Sequence, residues 1–363
     1  MTQLVLYYIY PLTKWVSFKT VAEAHVRELR KYFRVVPIEE NSLLVVIPMT
    51  SAISKCAFFV HPYFYPMQRF EKKLLVKIKI KPNIIGVDVA DSDHISEIGV
   101  RLTRYAKAMI VPSKFSQKTY IRSGVVTPVF AVPHGVDSTW LGSNPSRPQN
   151  FRPLMDYKTK NNKKLIQSWI MHSPYRKGED LLYQIYNNLL SERNDVALVI
   201  RRPFSIDIYD QKIDPNNLTP QHSIPLSWLT DDQIKELMDT CDIFCLTSRG
   251  GGFEHPPLLA MARGELVIGA RGGAWEDYMP EWSLVPSHRS DVVIPNNPIH
   301  DGCGVELEVD QAVNKLHDIL NNMDDYKAKI QQHIETHIKP NLTWEKIGER
   351  LKNIVIGLLG ANQ

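Results

Sequence analysis

Short apolar runs alternate with longer amphipathic stretches along most of the chain. In the first third, LVLYYIY, NSLLVVIP, CAFFVHP, NIIGVDVA, KAMIVPS and VFAVPHG are compact runs rich in Val, Ile, Leu and aromatic residues, which predict strands. Between them, FKTVAEAHVRELRKYF repeats its apolar positions at helical spacing and opens near Ser17. PMQRFEKKLLVKI predicts a basic helix, and SQKTYIRSG a helix closed by Gly124. Strands alternating with helices predict a parallel sheet of the α/β class.

The stretch from Asp137 to about Lys163 is rich in Pro, Ser, Asn and charge, shows no period, and predicts a connection between domains. Beyond it the alternation resumes. LIQSWIM, VALVIRR, DIFCLTS and ELVIGA predict strands, while GEDLLYQIYNNLL, TDDQIKELMDTC and PPLLAMARG predict helices. Two similar α/β halves joined by a linker imply a cleft between them. The expected domains are residues 1–150 and 151–340. TWEKIGERLKNIVIGLL, beginning at Thr343 with Glu345 in its first turn, predicts a separate amphipathic helix over 341–363.

Composition narrows the classes. A chain of 363 residues suits two domains, and 44% hydrophobic with 23% charged residues excludes a mainly disordered protein. No run is long enough to span a membrane, and the first residues lack the basic lead of a signal peptide. Four scattered cysteines make no disulfide framework, and Cys241 and Cys245 sit in a strand-like run without a histidine pair. The expectation is therefore a reduced, cytoplasmic protein without a bound metal. The net charge of +4 hides an asymmetry: residues 1–150 hold 20 basic and 10 acidic residues, the remainder 23 and 29.

The segment SRGGGFEHPPLLAMARG carries the most chemistry. Ser248 and Arg249 end a strand, and glycines including Gly251 and Gly252 let backbone approach a ligand. A new helix, with Pro256 and Pro257 in its first turn, then offers free N–H groups. Phosphates or sugar hydroxyls suit such a place, and Phe253, Glu254 and His255 at its mouth favour a binding site over a plain turn. In VDVADSDH, Asp88, Asp91, Asp93 and His94 cluster at a strand end. A general base or metal and a simple helix cap are both open there. His61 ends another strand as an acceptor-side candidate or a packed histidine among aromatics. Arg69, Lys72, Lys73, Lys77, Lys79 and Lys81, spread among Leu, Val and Ile over 69–81, fit either a solvated helix face or an anionic lipid surface. Nucleic acid is disfavoured, because aromatic interleaving and a reader motif are lacking.

GGFEHPPLLAMARGELVIGARGG resembles the donor-binding signature of retaining GT-B glycosyltransferases of the glycogen-synthase-like "glycosyltransferase family 4" group, Glu-Gly-Phe-Gly-x-Pro-x-x-Glu-Ala-Met-Ala-x-Gly. MIVPSKFSQKTYIRSGVVTPVFAVPHGVD, YRKGEDLL and LTWEKIGERL resemble further family elements in the right order, so the likeness runs from about Lys107 onward. It implies a GT-B fold of two Rossmann-like domains, with a donor cleft between them and a C-terminal helix crossing back. It also implies transfer of a sugar from a nucleotide-sugar donor, UDP- or GDP-linked, to an acceptor hydroxyl with retention and without a metal. Arg176 and Lys177 fall where the family binds phosphate. A guanidinium and an ammonium there would neutralise a diphosphate leaving group, against the plain alternative of solvated loop charges. The departures are specific. Gly251 and Leu259 replace the two signature glutamates, Met171 replaces an arginine ahead of the lysine, and YPLTKWVSFKT lacks the usual glycines. Glu254 is then the carboxylate expected at the transferred sugar, with Arg176 and Lys177 beside it. The donor side comprises Ser248, Arg249, Gly251, Gly252, Phe253 and His255, and the acceptor side His61, Asp88 and Asp91. A sugar-nucleotide binder without catalysis and an epimerase of similar fold are the alternatives.

Overall fold

The computed structural model describes residues 4–14, 16–50, 56–77, 82–142 and 149–360. The chain divides into two compact units: 1–135 with 294–302 and 341–363, and 136–293 with 303–340.

The first unit is built on β1 (Val5–Tyr10), α1 (Ser17–Leu29), β2 (Arg34–Glu39), α2 (Leu43–Thr50), β3 (Cys56–Val60), α3 (Phe64–Lys77), β4 (Ile84–Val87), α4 (Glu97–Thr103), β5 (Ala108–Val111), α5 (Lys114–Arg122) and β6 (Val129–Ala131). Its six strands lie in the order β2-β1-β3-β4-β5-β6, every pair parallel. Alternation along β1 sends Leu6, Tyr8 and Tyr10 to one face and Ile9 to the other, so both faces need cover. Leu43, Ile47, Phe64, Met67 and Tyr120 cover one face, and α1 covers the other together with Trp344, Ile347, Leu351 and Val355 of the C-terminal helix. One expectation is corrected here. NSLLVVIP is not a strand: Leu43–Thr50 forms α2, and the sheet edge belongs to β2, hidden in RVVPIE. A continuous apolar run has no period to separate a buried strand from a buried helix turn, so position in the fold decides. Lys79 and Lys81 lie outside the described residues.

The second unit runs through α6 (Arg152–Lys160), β7 (Lys164–Trp169), α7 (Pro174–Lys177), α8 (Glu179–Glu192), β8 (Val196–Arg201), β9 (Ser205–Tyr209), β10 (His222–Pro225), α9 (Asp231–Thr240), β11 (Ile243–Leu246), α10 (His255–Ala262), β12 (Leu266–Ala270), β13 (Leu284–Val285), β14 (Ser287–Val292), β15 (Cys303–Leu307), α11 (Val309–Asn321) and α12 (Met323–His333). After one turn, α13 (Lys339–Asn341), comes α14 (Trp344–Leu359), capped by Thr343. The main sheet has the order β10-β9-β8-β7-β11-β12-β13; β8, β7, β11, β12 and β13 are parallel, and the β9 and β10 pairings are antiparallel. The supposed linker contains α6, whose Leu154 joins Phe151 in the core against Leu165, Val199 and Leu237. Its pattern was faint because only one face of one short helix is apolar.

Candidate functional site

The second unit gathers Arg176, Lys177, Ser248 and Glu254 around two turns. Ser173 and Gly178 bracket α7 in left-handed conformations, which turns the chain from β7 into a single helical turn and straight on into α8. The turn is stitched to the end of β11 by backbone: Arg249 N–H donates to Arg176 C=O at 2.8 Å, and the Thr247 hydroxyl donates to Lys177 C=O at 2.9 Å. Gly178 is required on two counts, a φ of 66° and an approach so close that a Cβ would lie 2.0 Å from Thr247 O.

Glu254 occupies the position before α10 with φ 61°, a left-handed conformation that costs a residue with a side chain about 1–3 kcal/mol. Its carboxylate accepts from Lys177 Nζ at 2.6 and 2.7 Å and from the Ser248 hydroxyl at 3.1 Å, with Arg176 Nη1 3.9 Å away. The carboxylate fills the space above Gly251, where a Cβ would lie 2.2 Å from its Oε1. Thus the space above Gly251 is covered by a carboxylate arriving three residues later. Arg176 is buried, donates to Gly250 C=O at 3.0 Å, and lies 2.9 Å from His172 Nε2. A guanidinium only donates, so that ring nitrogen accepts. The result is two cations around one carboxylate, an excess of positive charge at the start of α10.

Phe253 is buried against Tyr278, ring centroids 4.8 Å apart, and His255 is the first residue of α10. The Tyr278 hydroxyl reaches the carbonyls of Phe253 and Glu254, and His333 Nε2 donates to Tyr278 C=O at 2.8 Å. Tyr278 thereby holds the left-handed turn. It lies beyond the quoted motif in sequence, and only the fold pairs it with residue 254. Arg249 turns elsewhere: its guanidinium engages Asp180 at 2.7 Å twice, Glu306, and Tyr175 C=O at 2.7 Å, and lies over the Tyr175 ring. Those bonds tie the strand-end loop to α8 and β15.

The acceptor-side candidates lie in the first unit. His61 is buried among Phe18, His25 and Tyr8, whose hydroxyl is 2.8 Å from His25 Nδ1 and 3.3 Å from His61 Nδ1. Burial lowers the pKa of both imidazoles, His25 to about 3, and the His25 ring further disfavours charge on His61. Asp88 is buried at the start of α3, accepting the N–H groups of Phe64 at 2.7 Å and Val89 at 2.8 Å. Burial raises its pKa. Asp91 and Asp93 are half-buried in the loop before α4, which Ser96 caps, and His94 Nδ1 is 2.7 Å from Asp301.

With this geometry in place, the comparisons with known proteins define a class. HepE from Anabaena, in complex with UDP and glucose, superposes with a TM-score of 0.67 at 12% identity over 98% of this chain and 100% of that one. Sucrose-phosphate synthase from Thermosynechococcus elongatus gives 0.65 at 10% over 99% and 100%. The α,α-trehalose 6-phosphate synthase from Burkholderia multivorans gives 0.67 at 11% over 99% of each chain. At such identities the likeness is one of fold, and that fold is the GT-B fold of two Rossmann-like sheets. No family model matches the chain. Uncharacterized protein 356 of Sulfolobus islandicus rod-shaped virus 1 is 31% identical over 364 residues, 97% of this chain and 98% of that protein, and the chain belongs to its family. A more distant relative, "Putative glycosyltransferase 45" of a Sulfolobus islandicus filamentous virus, is 24% identical over 282 residues, 72% of this chain and 73% of that one.

Proposed function

We propose that the protein is a glycosyltransferase that moves a sugar from a UDP- or GDP-linked donor to an acceptor hydroxyl with retention of configuration, within the glycogen-synthase-like group. The observation that carries the reading is the Glu254 carboxylate held by Lys177 and Ser248 in a left-handed turn at the start of α10. In this reading Lys177 and Arg176 neutralise the diphosphate as its bond to the anomeric carbon breaks. Glu254 orients the sugar through its hydroxyls. The acceptor oxygen forms the new bond to the anomeric carbon and gives its proton to the departing phosphate, and the nucleoside diphosphate leaves. The fold likeness to HepE, whose structure holds UDP and glucose, supports a UDP-linked hexose. No cofactor beyond the donor is needed.

The experiment is turnover of radiolabelled UDP- and GDP-sugars. Free nucleotide together with a larger labelled product establishes transfer. Tight binding without turnover establishes a binder, and an altered sugar still on its nucleotide establishes an epimerase. Lys177→Ala is expected to remove most turnover.

The acceptor is assigned to the first unit, where Asp88 anchors the strand-end loop and Asp91 is the more open acid. On that unit, α2 and α3 expose Val45, Met49 and Tyr65 together with Arg69, Lys72 and Lys73, an apolar and basic surface suited to anionic lipid. Among the described residues no helix is long and apolar enough to cross a membrane. Co-sedimentation with phosphatidylserine vesicles is expected to fall as salt rises, and to fall further in Lys72→Gln/Lys73→Gln. Equal pelleting with neutral vesicles would assign the acceptor to solution.

A further inference from the structure

Arg201, the last residue of β8, and Arg202 just after it meet different surroundings. Arg202 donates to Asp207 at 2.8 Å, to Glu179 and to the Tyr183 hydroxyl at 2.8 Å, so its charge is compensated twice. Arg201 is 4% exposed, and its enclosed Nη1 has no hydrogen-bond partner. Among the described residues it makes no ion pair, and burial, with no neighbouring acid to oppose it, lowers its pKa. Strand alternation puts Arg201 on the face of β8 shared by Ala197 and Val199, which is an apolar core face. A guanidinium stays protonated even there. A charge fixed in such a place is unfavourable until a counter-charge arrives.

Its position says where that charge comes from. Arg201 is the last residue of β8, in register with Trp169, the last residue of β7. Its carbonyl accepts Ile170 N–H at 3.0 Å. It therefore stands one strand spacing, about 4.8 Å, from the segment that continues through Met171 and His172 into Arg176 and Lys177. The carboxyl ends of parallel strands are where ligands of such sheets bind. We propose that Arg201 is an anion-binding residue that takes a phosphoryl group of the substrate at the carboxyl edge of the second sheet. A multiply charged phosphoryl group suits the planar, bidentate donor fork and the further cations on the adjoining loop. The proposal rests on the glycosyltransferase reading only in taking that group from the donor diphosphate or from a phosphorylated acceptor.

The test measures melting temperature and calorimetric affinity of the full chain and of Arg201→Met and Arg201→Lys. The probes are inorganic phosphate, UDP, a hexose phosphate and uridine. In Arg201→Met the ligand-free protein is expected to melt higher, because a buried uncompensated charge is gone. Phosphate and either UDP or the hexose phosphate should bind at least about tenfold more weakly, uridine unchanged. Arg201→Lys should keep part of the affinity and guards against misfolding of the first variant. Loss confined to UDP assigns the donor diphosphate, and loss confined to the hexose phosphate assigns the acceptor. Unchanged phosphate, UDP and hexose phosphate binding in Arg201→Met, or a lower melting temperature with unchanged binding, would overturn the proposal. A protein that turns over no nucleotide sugar but still binds phosphate through Arg201 would defeat the glycosyltransferase reading alone.

Discussion

At the scale of single residues, Glu254 carries two opposing demands. Its backbone adopts a conformation suited to glycine, while its carboxylate is fixed by Lys177 and Ser248. Glu254→Gly relieves about 1 kcal/mol or more of strain but leaves the enclosed Lys177 and Arg176 charges without their carboxylate, so it is expected to lower the melting temperature and to abolish most transfer. Glu254→Gln should keep the fold and nucleotide affinity and still lose turnover, because orienting the sugar matters more in the transition state than in nucleotide binding. Kinetics of both variants with free-nucleotide affinities separate this role from mere compensation of the helix dipole, which would leave transfer intact. The residues of this turn were legible as a group in the run GGFEHPP. That Glu254 folds back over Gly251 was not, since nothing in a linear order says which side chain fills the space a glycine leaves.

At the scale of elements, α14 shows how a local pattern acquires a distant partner. Its amphipathic repeat and the Thr343 cap are plain in TWEKIGERL, whereas its packing on α1 is a product of the tertiary fold. Leu351 is fully buried in that contact, so Leu351→Ala should cost about 2–5 kcal/mol, read as a lower urea midpoint with an unchanged slope. A loss below 1 kcal/mol would mean that α14 is a loosely held appendage. The β9–β10 hairpin went unread for the opposite reason. HSIP has little apolar content, three of its four residues are exposed, and an edge strand needs only backbone to pair.

At the scale of the whole molecule, pH gives a reading of the buried histidines. His25 and His61 have folded pKa values below that of a free imidazole, so in acid the unfolded chain takes up protons that the folded chain refuses. The stability they contribute is complete above about pH 6.5 and is lost as pH falls toward about 3, at up to ~1.4 kcal/mol per pH unit for His25. Asp88 and Glu265, raised by burial, act with the opposite sign: their contribution is present in acid and lost as pH rises. Subtraction isolates His25. Between about pH 7.5 and about pH 4.5 the wild type should lose more stability than His25→Gln, which keeps an amide near Tyr8 but cannot titrate. Equal losses would place the His25 proton within the folded state.

The sequence by itself determined the α/β class, because alternating strand and helix periods leave few other ways to bury both faces of each sheet. It also determined the glycine-rich turn with its capping prolines, since that chemistry is local. The tertiary structure alone decided which charges meet. Lys177 and Glu254 are far apart in the chain and 2.6 Å apart in space, while the neighbours Arg201 and Arg202 differ completely in company because a strand sends successive side chains to opposite faces. Electrostatic partners depend on distance and burial, and neither is a property of spacing along the chain.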